Sequence, residues 1–182
     1  MQDSFNTGGL RVIFLDIDGV LNSYRTYVAF GGFPHDLVPE HRQRFDEISI
    51  SLLRNLCLAE NISIVVSSSW REKFKWQEIG QVLGLPAIGE TPTLATLRGE
   101  EIAAWLVKHP AVQQYAILDD KDEMLPKQAA HFVHTNAQEG ISYGNFVHLC
   151  HIFGTDPIAV HNVLKDRARL EADSNDELAV LA

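Results

Sequence analysis

Three short apolar runs, each ending in a cluster of polar residues, constrain the fold of this chain more than any other feature. Arg11–Leu15 leads into Asp16-Ile17-Asp18-Gly19, Ile62–Val66 leads into three consecutive serines, and Tyr115–Leu118 leads into Asp119-Asp120. Short continuous apolar runs are typical of strands that are buried on both faces of a parallel sheet. The sequence therefore predicts a parallel sheet whose strands end in polar residues.

Segments with helical spacing of apolar residues separate these runs. Helices are predicted at Ile48–Glu60, at Trp70–Leu83 with Gly84 as the C-cap, and at Gly99–His109. Weaker patterns predict two further strands, at Leu85–Ile88 and His131–His134. They also predict two further helices, at Ile141–Phe153 and Pro157–Ala172. Asn22–Pro39 and Gly89–Leu97 are predicted to be loops. Strands that alternate with helices predict a Rossmann-like α/β domain with a parallel sheet of about five strands.

Length and composition fit one folded domain. The 182 residues suit a single domain over 1–182, with a core at about 10–172 and a tail at 173–182 that we expect to fray. The net charge of −9 argues against a protein that coats nucleic acid or anionic membranes. The N-terminus lacks the pattern of a signal peptide, and no apolar run is long enough to span a bilayer, so we expect a soluble cytoplasmic protein. Cys57 and Cys150 are expected to be buried thiols.

The polar residues that follow the strands are the candidates for chemistry. In open parallel sheets, ligands bind beyond the carboxyl ends of the strands. The three runs bring four carboxylates and three hydroxyls to that edge. Crowded carboxylates repel one another, and a divalent cation with a preference for oxygen ligands relieves the repulsion. The sequence therefore predicts a Mg²⁺ site formed by Asp16, Asp18, Asp119 and Asp120.

The Asp16-x-Asp18-Gly19 sequence suits two catalytic carboxylates. The chain turns after the strand, so both side chains can approach one centre, and Gly19 permits a tight turn. One carboxylate can act as nucleophile and metal ligand, and the other as general acid and base. An ordinary strand-to-loop turn, in which Asp and Gly are common, is the alternative interpretation.

Ser67, Ser68 and Arg98 are the predicted phosphate-binding residues. A hydroxyl directly after a strand, next to a helix N-terminus, suits a phosphoryl oxygen. Capping of the next helix by Ser68 or Ser69 is the alternative, and we expect both roles to be present. A cation must neutralise a transferring phosphoryl group, and Arg98 is favoured for this over Arg71, Lys73 and Lys121. Arg71 can instead form a surface ion pair with Glu72 or Glu78.

These residues, in this order, resemble the haloacid dehalogenase (HAD) superfamily of phosphatases and phosphotransferases. The four motifs of that superfamily match the Asp16–Asn22 segment, Ser67, Arg98 and the Asp119-Asp120 pair. A closer resemblance is to the HAD domain associated with bacterial RNA-repair (Swiss army knife) proteins. It rests on the strings FLDIDGVLNS, VVSSSWR, RGEEIAAWL and AILDD, and on the later HTNAQEGIS.

The resemblance implies a mechanism. Mg²⁺ would be bound by Asp16, the backbone carbonyl of Asp18 and Asp119, while Asp120 would bind through water or orient Asp119. Asp122 is the alternative to Asp120. Asp16 would form an aspartyl-phosphate, and Asp18 would first protonate the leaving group and then activate water. An aspartate at position 18 implies a phosphatase rather than a dehalogenase.

The spacing of the motifs bears on the substrate. Only 44 residues lie between Asn22 and Ser67 and 51 between Ser67 and Asp119, which excludes a large cap domain. An open site suits the phosphate end of a macromolecule such as RNA or DNA. Aromatic residues of the Asn22–Pro39 segment either stack on a base or pack against the core: Tyr24, Tyr27, Phe30 and Phe33. The acidic net charge keeps a nucleotide or small phosphate ester as an alternative substrate.

Other functions were weighed. A non-catalytic HAD-like module that binds a phosphorylated partner is the alternative from another class. A phosphorelay receiver domain would need a lysine after the fifth strand, and a Toprim-type site would need a glutamate before its Asp-x-Asp; neither is present at those positions.

The histidines lack the spacing of a zinc site, and Trp70, Trp76 and Trp105 are predicted to be core residues. Leu164, Ala168 and Ala172 form a stripe that packs on the domain or contacts a second copy.

Overall fold

The structure, a computed structural model, describes residues 9–165. Within this range it contains five strands in one all-parallel sheet of order β3-β2-β1-β4-β5. The strands are β1 (Leu10–Leu15), β2 (Ser63–Val66), β3 (Ala87–Glu90), β4 (Val112–Asp119) and β5 (Phe132–His134). This confirms the predicted α/β class with a five-stranded parallel sheet, and the described residues contain no separate cap domain.

Within the described residues, six helices besides the segment 157–165 connect or flank the strands. They are α1 (Tyr24–Phe30), α2 (Pro39–Arg42), α3 (Glu47–Glu60), α4 (Trp76–Leu83), α5 (Arg98–Lys108) and α6 (Tyr143–Ile152). Short 3₁₀ segments occupy Ser69–Glu72 and Pro126–His131. Residues 157–165 are also helical. The remainder of the helix predicted to end at Ala172, most of the stripe predicted there and the 173–182 tail lie outside the described residues.

The central strand β1 is buried on both faces, which explains its continuous apolar sequence. Ile13 and Leu15 belong to the larger core, to which α3, α4 and α6 contribute. Val12 and Phe14 point to the opposite face, where Ile102 and Trp105 of α5 cover the sheet. Helices on both faces therefore leave the carboxyl ends of the strands as the accessible edge. Cys57 and Cys150 are buried, as predicted.

The prediction that Asn22–Pro39 is a loop is wrong for residues 24–30, which form α1. Ser23 and Thr26 form a reciprocal capping box, and Gly31 ends the helix at a φ of +74°. The amides of Tyr24 and Arg25 also donate to carbonyls of a distant segment, 137–138. A pattern search along the chain does not detect such long-range bonds.

The helix predicted at Trp70–Leu83 is interrupted. The first part is the 3₁₀ segment, and α4 starts at Trp76 because carboxylates cap its first amides. The Lys75 amide donates to Glu78 and the Trp76 amide donates to Glu90. Smaller differences affect β3, which lies two residues later than predicted, and β4, which is longer at both ends.

Among the described residues, none of the helices combines the length and the apolar character that crossing a membrane requires.

Candidate active site

The register of the central strands brings three motif residues to one edge of the sheet. Leu15 of β1 pairs with Val66 of β2 and with Leu118 of β4. The next residues along these strands are Asp16, Ser67 and Asp119. Backbone bonds continue one step further, since the Asp16 amide donates to Leu118 and the Ser67 amide donates to Leu15. These three side chains are therefore neighbours because their strands are neighbours.

Three carboxylates form what we call the acidic cluster: Asp16, Asp119 and Asp120. One carboxylate oxygen from each lies within 4.8 Å of the others. Asp16 and Asp119 are buried, and Asp120 is half-buried. The Asp18 carboxylate and the exposed Asp122 are not members of this cluster. The cluster therefore contains three of the four carboxylates that the sequence assigns to a metal, with Asp120 rather than Asp122 beside Asp119.

Gly19 allows the first motif to turn next to Asp120. Its φ of +74° is a left-handed conformation, and a Cβ at this position would lie 2.4 Å from Asp120 Oδ2. The segment after β5 stabilises this turn through two hydrogen bonds. Thr135 Oγ1 donates to the Gly19 carbonyl, and the Ile141 amide donates to the Val20 carbonyl. The HTNAQEGIS string therefore has a structural role beside the first motif.

Asp18 is held apart from the acidic cluster by two hydrogen bonds. Asn22 Nδ2 donates to Asp18 Oδ1 over 2.8 Å, and the indole Nε1 of Trp70 donates to Asp18 Oδ2 over 2.9 Å. Both residues line the same cleft as Asp18. Asp18 is thus fixed in orientation and exposed to the cleft, as a group that exchanges protons with a substrate must be.

Arg98 is the cation that reaches the acidic cluster. Its Nη1 lies 3.9 Å from Asp16 Oδ1 and 3.8 Å from Asp119 Oδ2, and its side chain is almost fully buried. It starts α5, which approaches the 124–128 segment so closely that a Cβ on Gly99 would lie 2.5 Å from Gln128. Close packing at Gly99 therefore sets the position of Arg98.

Arg71 has a different environment from Arg98. Its guanidinium donates to the carbonyls of Ser67 and Ser68 and to Glu101, each over 2.6 Å. Glu101 also accepts from the Leu94 amide and lies 3.8 Å from Arg98 Nε. The predicted surface ion pair of Arg71 with Glu72 or Glu78 is wrong, because the buried Glu101 is its partner. Arg71 connects the end of β2 to α5 and does not line the cleft.

The predicted serines have separate environments. Ser68 Oγ accepts from the Trp70 amide and so caps the 3₁₀ segment. Capping is one of the two roles predicted for Ser68, the other being phosphate binding. Ser67 is fully buried and its Oγ has no hydrogen-bond partner within residues 9–165. Ser69 lines the cleft. Of the other predicted cations, Lys73 and Lys121 line the cleft together with Arg98.

Four buried side-chain atoms in this region have no hydrogen-bond partner in the part of the chain that the structure describes: Ser67 Oγ, Arg71 Nε, Arg98 Nη1 and Asp119 Oδ2. Arg98 Nη1 and Asp119 Oδ2 lie 3.8 Å apart, an ion pair without a hydrogen bond. Buried polar groups are rarely left unpaired, and unpaired ones indicate a bound ion, water or substrate. A carboxylate oxygen without a donor suits a cation, and a hydroxyl and a guanidinium N–H suit phosphoryl oxygens. The donor set therefore fits a hard divalent ion together with a phosphate.

Burial and crowding raise the pKa of two cluster members. Burial and the charge of Asp16 raise the pKa of Asp119 to about 7, although Arg98 opposes the shift. The same two causes raise the pKa of Asp120. A cation bound to the cluster would favour the charged carboxylates and reverse these shifts.

Comparison with models of protein families matches residues 12–146 to the HAD domain in Swiss Army Knife RNA repair proteins. This range begins within β1, ends within α6 and contains every residue of the acidic cluster. The chain belongs to this family. No curated protein matches the chain. No solved structure matches it either.

The HAD domain has an aromatic surface in the same cleft as the acidic cluster. We call Phe33, Trp70 and Phe74 the aromatic wall. The cleft has a volume of about 420 Å³, and its other lining residues include Asp16, Asp18, Asn22, Arg98, Asp120 and Lys121. Tyr24, Tyr27 and Phe30 of α1 are about half exposed rather than buried against the core. The core-packing interpretation is therefore wrong for these three.

Several residues of the HAD site were not assigned a role there from the sequence. Trp70 was predicted only to be a core residue, yet it donates to Asp18. Asn22 and Glu101 lie in the segments that carry the resemblance but were given no role of their own, and Phe74 is one of many apolar residues. The one local signal for these residues was the Trp70-Arg71 pair directly after the three serines. In the structure, Trp70 donates to Asp18 and Arg71 donates to the carbonyl of Ser67, just after β2.

Proposed function

We propose that this HAD domain hydrolyses phosphate monoesters at the ends of nucleic acids through a covalent intermediate on Asp16. The observation that carries the proposal is the group of buried, unpartnered atoms of Ser67, Arg98 and Asp119 beside Asp16. Together they match the needs of a phosphoryl group and of a cation.

The first step is an in-line attack by a carboxylate oxygen of Asp16 on phosphorus. The bond between phosphorus and the leaving oxygen breaks, and Asp18 donates its proton to that oxygen. In the second step Asp18 takes a proton from water, whose oxygen attacks the same phosphorus. Phosphate leaves and the Asp16 carboxylate is regenerated. The exposure of Asp18 and its two hydrogen bonds support this role.

The phosphoryl oxygens would be held by Ser67 Oγ and Arg98 Nη1, neither of which has a hydrogen-bond partner in residues 9–165. Arg98 Nη1 has only longer ionic contacts there, with Asp16 and Asp119. Ser68 is predicted to share this role, and its O–H remains a donor because its Oγ only accepts from the Trp70 amide. We propose Ser67 as the principal hydroxyl, because its Oγ has no hydrogen-bond partner in residues 9–165. Arg71 would act indirectly, by fixing the carbonyls of Ser67 and Ser68.

The acidic cluster and the Asp18 carbonyl would hold Mg²⁺, which when bound neutralises charge on the transferring phosphoryl group. Asp16, Asp119 and Asp120 supply only oxygen ligands, which favours Mg²⁺ over softer metals. The raised pKa of Asp119 supports cation binding, because burial of this carboxylate without a counter-charge is unfavourable.

The proposed substrate follows from the family and from the fold. The family is described from RNA repair proteins, and the described residues contain no cap domain to enclose a small metabolite. A phosphorylated RNA or DNA end fits such a site. A small phosphate ester or nucleotide would need only the same chemistry, so the substrate has to be tested directly.

The test is phosphate release from RNA and DNA oligonucleotides with a 5′- or 3′-phosphate, and from a nucleotide panel and a generic aryl phosphate. We expect turnover with Mg²⁺, none with EDTA, and higher kcat/KM for an oligonucleotide end than for free nucleotides. No turnover of any of these substrates with Mg²⁺ would contradict the proposal and favour a binding module.

A further inference from the structure

The leaving-group side of the cleft is aromatic. If Asp18 protonates the leaving oxygen, as proposed above, the group attached to that oxygen lies beside Asp18. The Trp70 indole donates directly to Asp18, and Phe74 packs on this indole at 5.7 Å between ring centroids. The chemical group next to the broken bond therefore meets two aromatic rings as well as Asn22, which also donates to Asp18.

Phe33, the third member of the aromatic wall, is fixed by contacts with its neighbouring residues. Its ring contacts Tyr24 and Tyr27 at centroid distances of 5.6 and 4.9 Å, and Arg44 donates to its carbonyl over 3.1 Å. The helix that carries both tyrosines is bonded to residues 137–138. A ring fixed in advance loses little entropy when a ligand stacks on it.

Cations and carboxylates lie together in this cleft, in a chain whose net charge is −9. Lys73, Arg98 and Lys121 line it. Lys73 lies between Trp70 and Phe74 in sequence, and both lysines are exposed. The cleft thus offers a flat apolar surface with cations beside it, a combination that proteins use to bind single-stranded nucleic acid.

We propose that the aromatic wall binds the terminal nucleobase of a phosphate-ended nucleic acid, while its end phosphate lies against Arg98 and the acidic cluster. This rests on the function proposed above and specifies its substrate. A cleft of about 420 Å³ is at the smaller end of ligand sites, which span about 300–1,000 Å³. It therefore holds one nucleotide, and the next phosphates lie near Lys73 and Lys121.

The test compares RNA trinucleotides that differ only in their terminal residue, which either carries a base or is abasic. Both are prepared with a 5′-phosphate and with a 3′-phosphate. We expect wild-type kcat/KM to be roughly 5- to 100-fold higher for the base-bearing form of the preferred end, the range expected for stacking of one base. Phe33→Ala should remove most of this preference through KM.

Two further variants separate stacking from packing. Phe33→Trp keeps an aromatic ring and should retain the preference for the base-bearing trinucleotide. Phe30→Ala removes a ring that is 47% exposed on α1 but does not line the cleft, so the preference should not change.

A binding measurement makes this inference independent of turnover. Asp16→Asn protein, with Mg²⁺, is titrated with each trinucleotide and with a phosphotyrosine peptide, and bound ligand is followed by anisotropy. Tighter binding of the base-bearing trinucleotide would support the inference even if no substrate is hydrolysed, in which case only the proposed function fails. Equal affinity for base-bearing and abasic forms, or a preference for the phosphotyrosine peptide, would overturn it.

Discussion

The acidic cluster and the aromatic wall serve one cleft but are built in different ways. Asp16 directly follows β1, Asp119 is the last residue of β4 and Asp120 follows it, so the pairing of the sheet fixes the cluster. The members of the wall come from the segment between α1 and α2 and from the residues around the 3₁₀ segment. The first region is rigid because of the sheet, and the second depends on side-chain contacts.

This difference predicts two classes of variant. Changes in the acidic cluster or at Arg98 should reduce the rate with every phosphate ester, because they act on the phosphoryl group itself. Changes in the aromatic wall should reduce the rate most for substrates whose leaving group contributes most to binding, and least for the others. The four predictions below test this division, from the largest expected effect to the smallest.

Asp16→Asn should reduce kcat by at least about 10³-fold with every substrate, because an amide cannot replace the attacking carboxylate. Phosphate release and circular dichroism measure activity and folding together. Asp122→Asn is the matched control, since Asp122 is exposed and outside the cluster, and its rate should stay within about twofold of wild type. Full activity of Asp16→Asn would exclude Asp16 as the nucleophile.

Arg98→Met should reduce kcat/KM by about 10²-fold for oligonucleotide and aryl phosphate alike, as expected when one donor to a phosphoryl oxygen is lost. Arg71→Met is the contrasting variant. It removes the buried ion pair with Glu101 and the donor to two carbonyls, and should lower the free energy of unfolding by about 3 kcal/mol. A loss of rate at Arg98→Met that is confined to base-bearing substrates would break the division between the two regions.

Asp119→Asn should change the pH dependence of stability. In metal-free protein the pKa of Asp119 is raised from 3.8 to about 7, so between these pH values the folded state binds more protons than the unfolded state. Stability therefore falls as pH rises through this interval and is constant above it. The variant should flatten this slope and be more stable by roughly 1–3 kcal/mol at pH 8 in EDTA.

Urea unfolding at pH 5 and pH 8 measures this, with Asp122→Asn as the control that keeps the wild-type slope. Mg²⁺ should stabilise the wild-type protein at pH 8 more than at pH 5, because protons compete for the ligands. An identical pH slope for Asp119→Asn and wild type would show that Asp119 is not the responsible group.

Trp70→Phe should have the smallest effect, about a fivefold loss of kcat, because it keeps the ring but removes one hydrogen bond to Asp18. Base-bearing and abasic trinucleotides should lose rate equally, since the stacking surface remains. A variant whose loss is limited to the base-bearing form would show that Trp70 acts only as part of the wall.

The acidic cluster was predictable from the sequence. Of the aromatic wall, only Phe33 was among the residues considered for base stacking, and Trp70 and Phe74 were not. Asp16, Ser67 and Asp119 each follow an apolar run directly, and parallel topology alone brings such positions to one edge. The fold class and the family follow from the same pattern. By contrast, the contacts of Trp70 with Asp18 and of Arg71 with Glu101 join residues 52 and 30 positions apart. No local periodicity reports such pairs.

The segment around α1 shows the same limit. Ser23 and Thr26 form a capping box that is readable in the sequence, yet glycines and Pro34 indicated a loop. The bonds from the start of α1 to residues 137–138 add stabilisation that depends on the folded domain. Tertiary contacts therefore determine the conformation of a segment for which the local sequence signals disagree.

The central claim is that Asp16 becomes covalently phosphorylated. It is tested most directly with Asp18→Asn protein and an aryl phosphate, whose leaving group departs without protonation, so that only the second step lacks its base. After rapid acid quench, peptide mass spectrometry should find the phosphoryl group on Asp16, and hydroxylamine should remove it. Turnover by this variant without any phosphorylated peptide, or a phosphoryl group on another residue, would contradict the account.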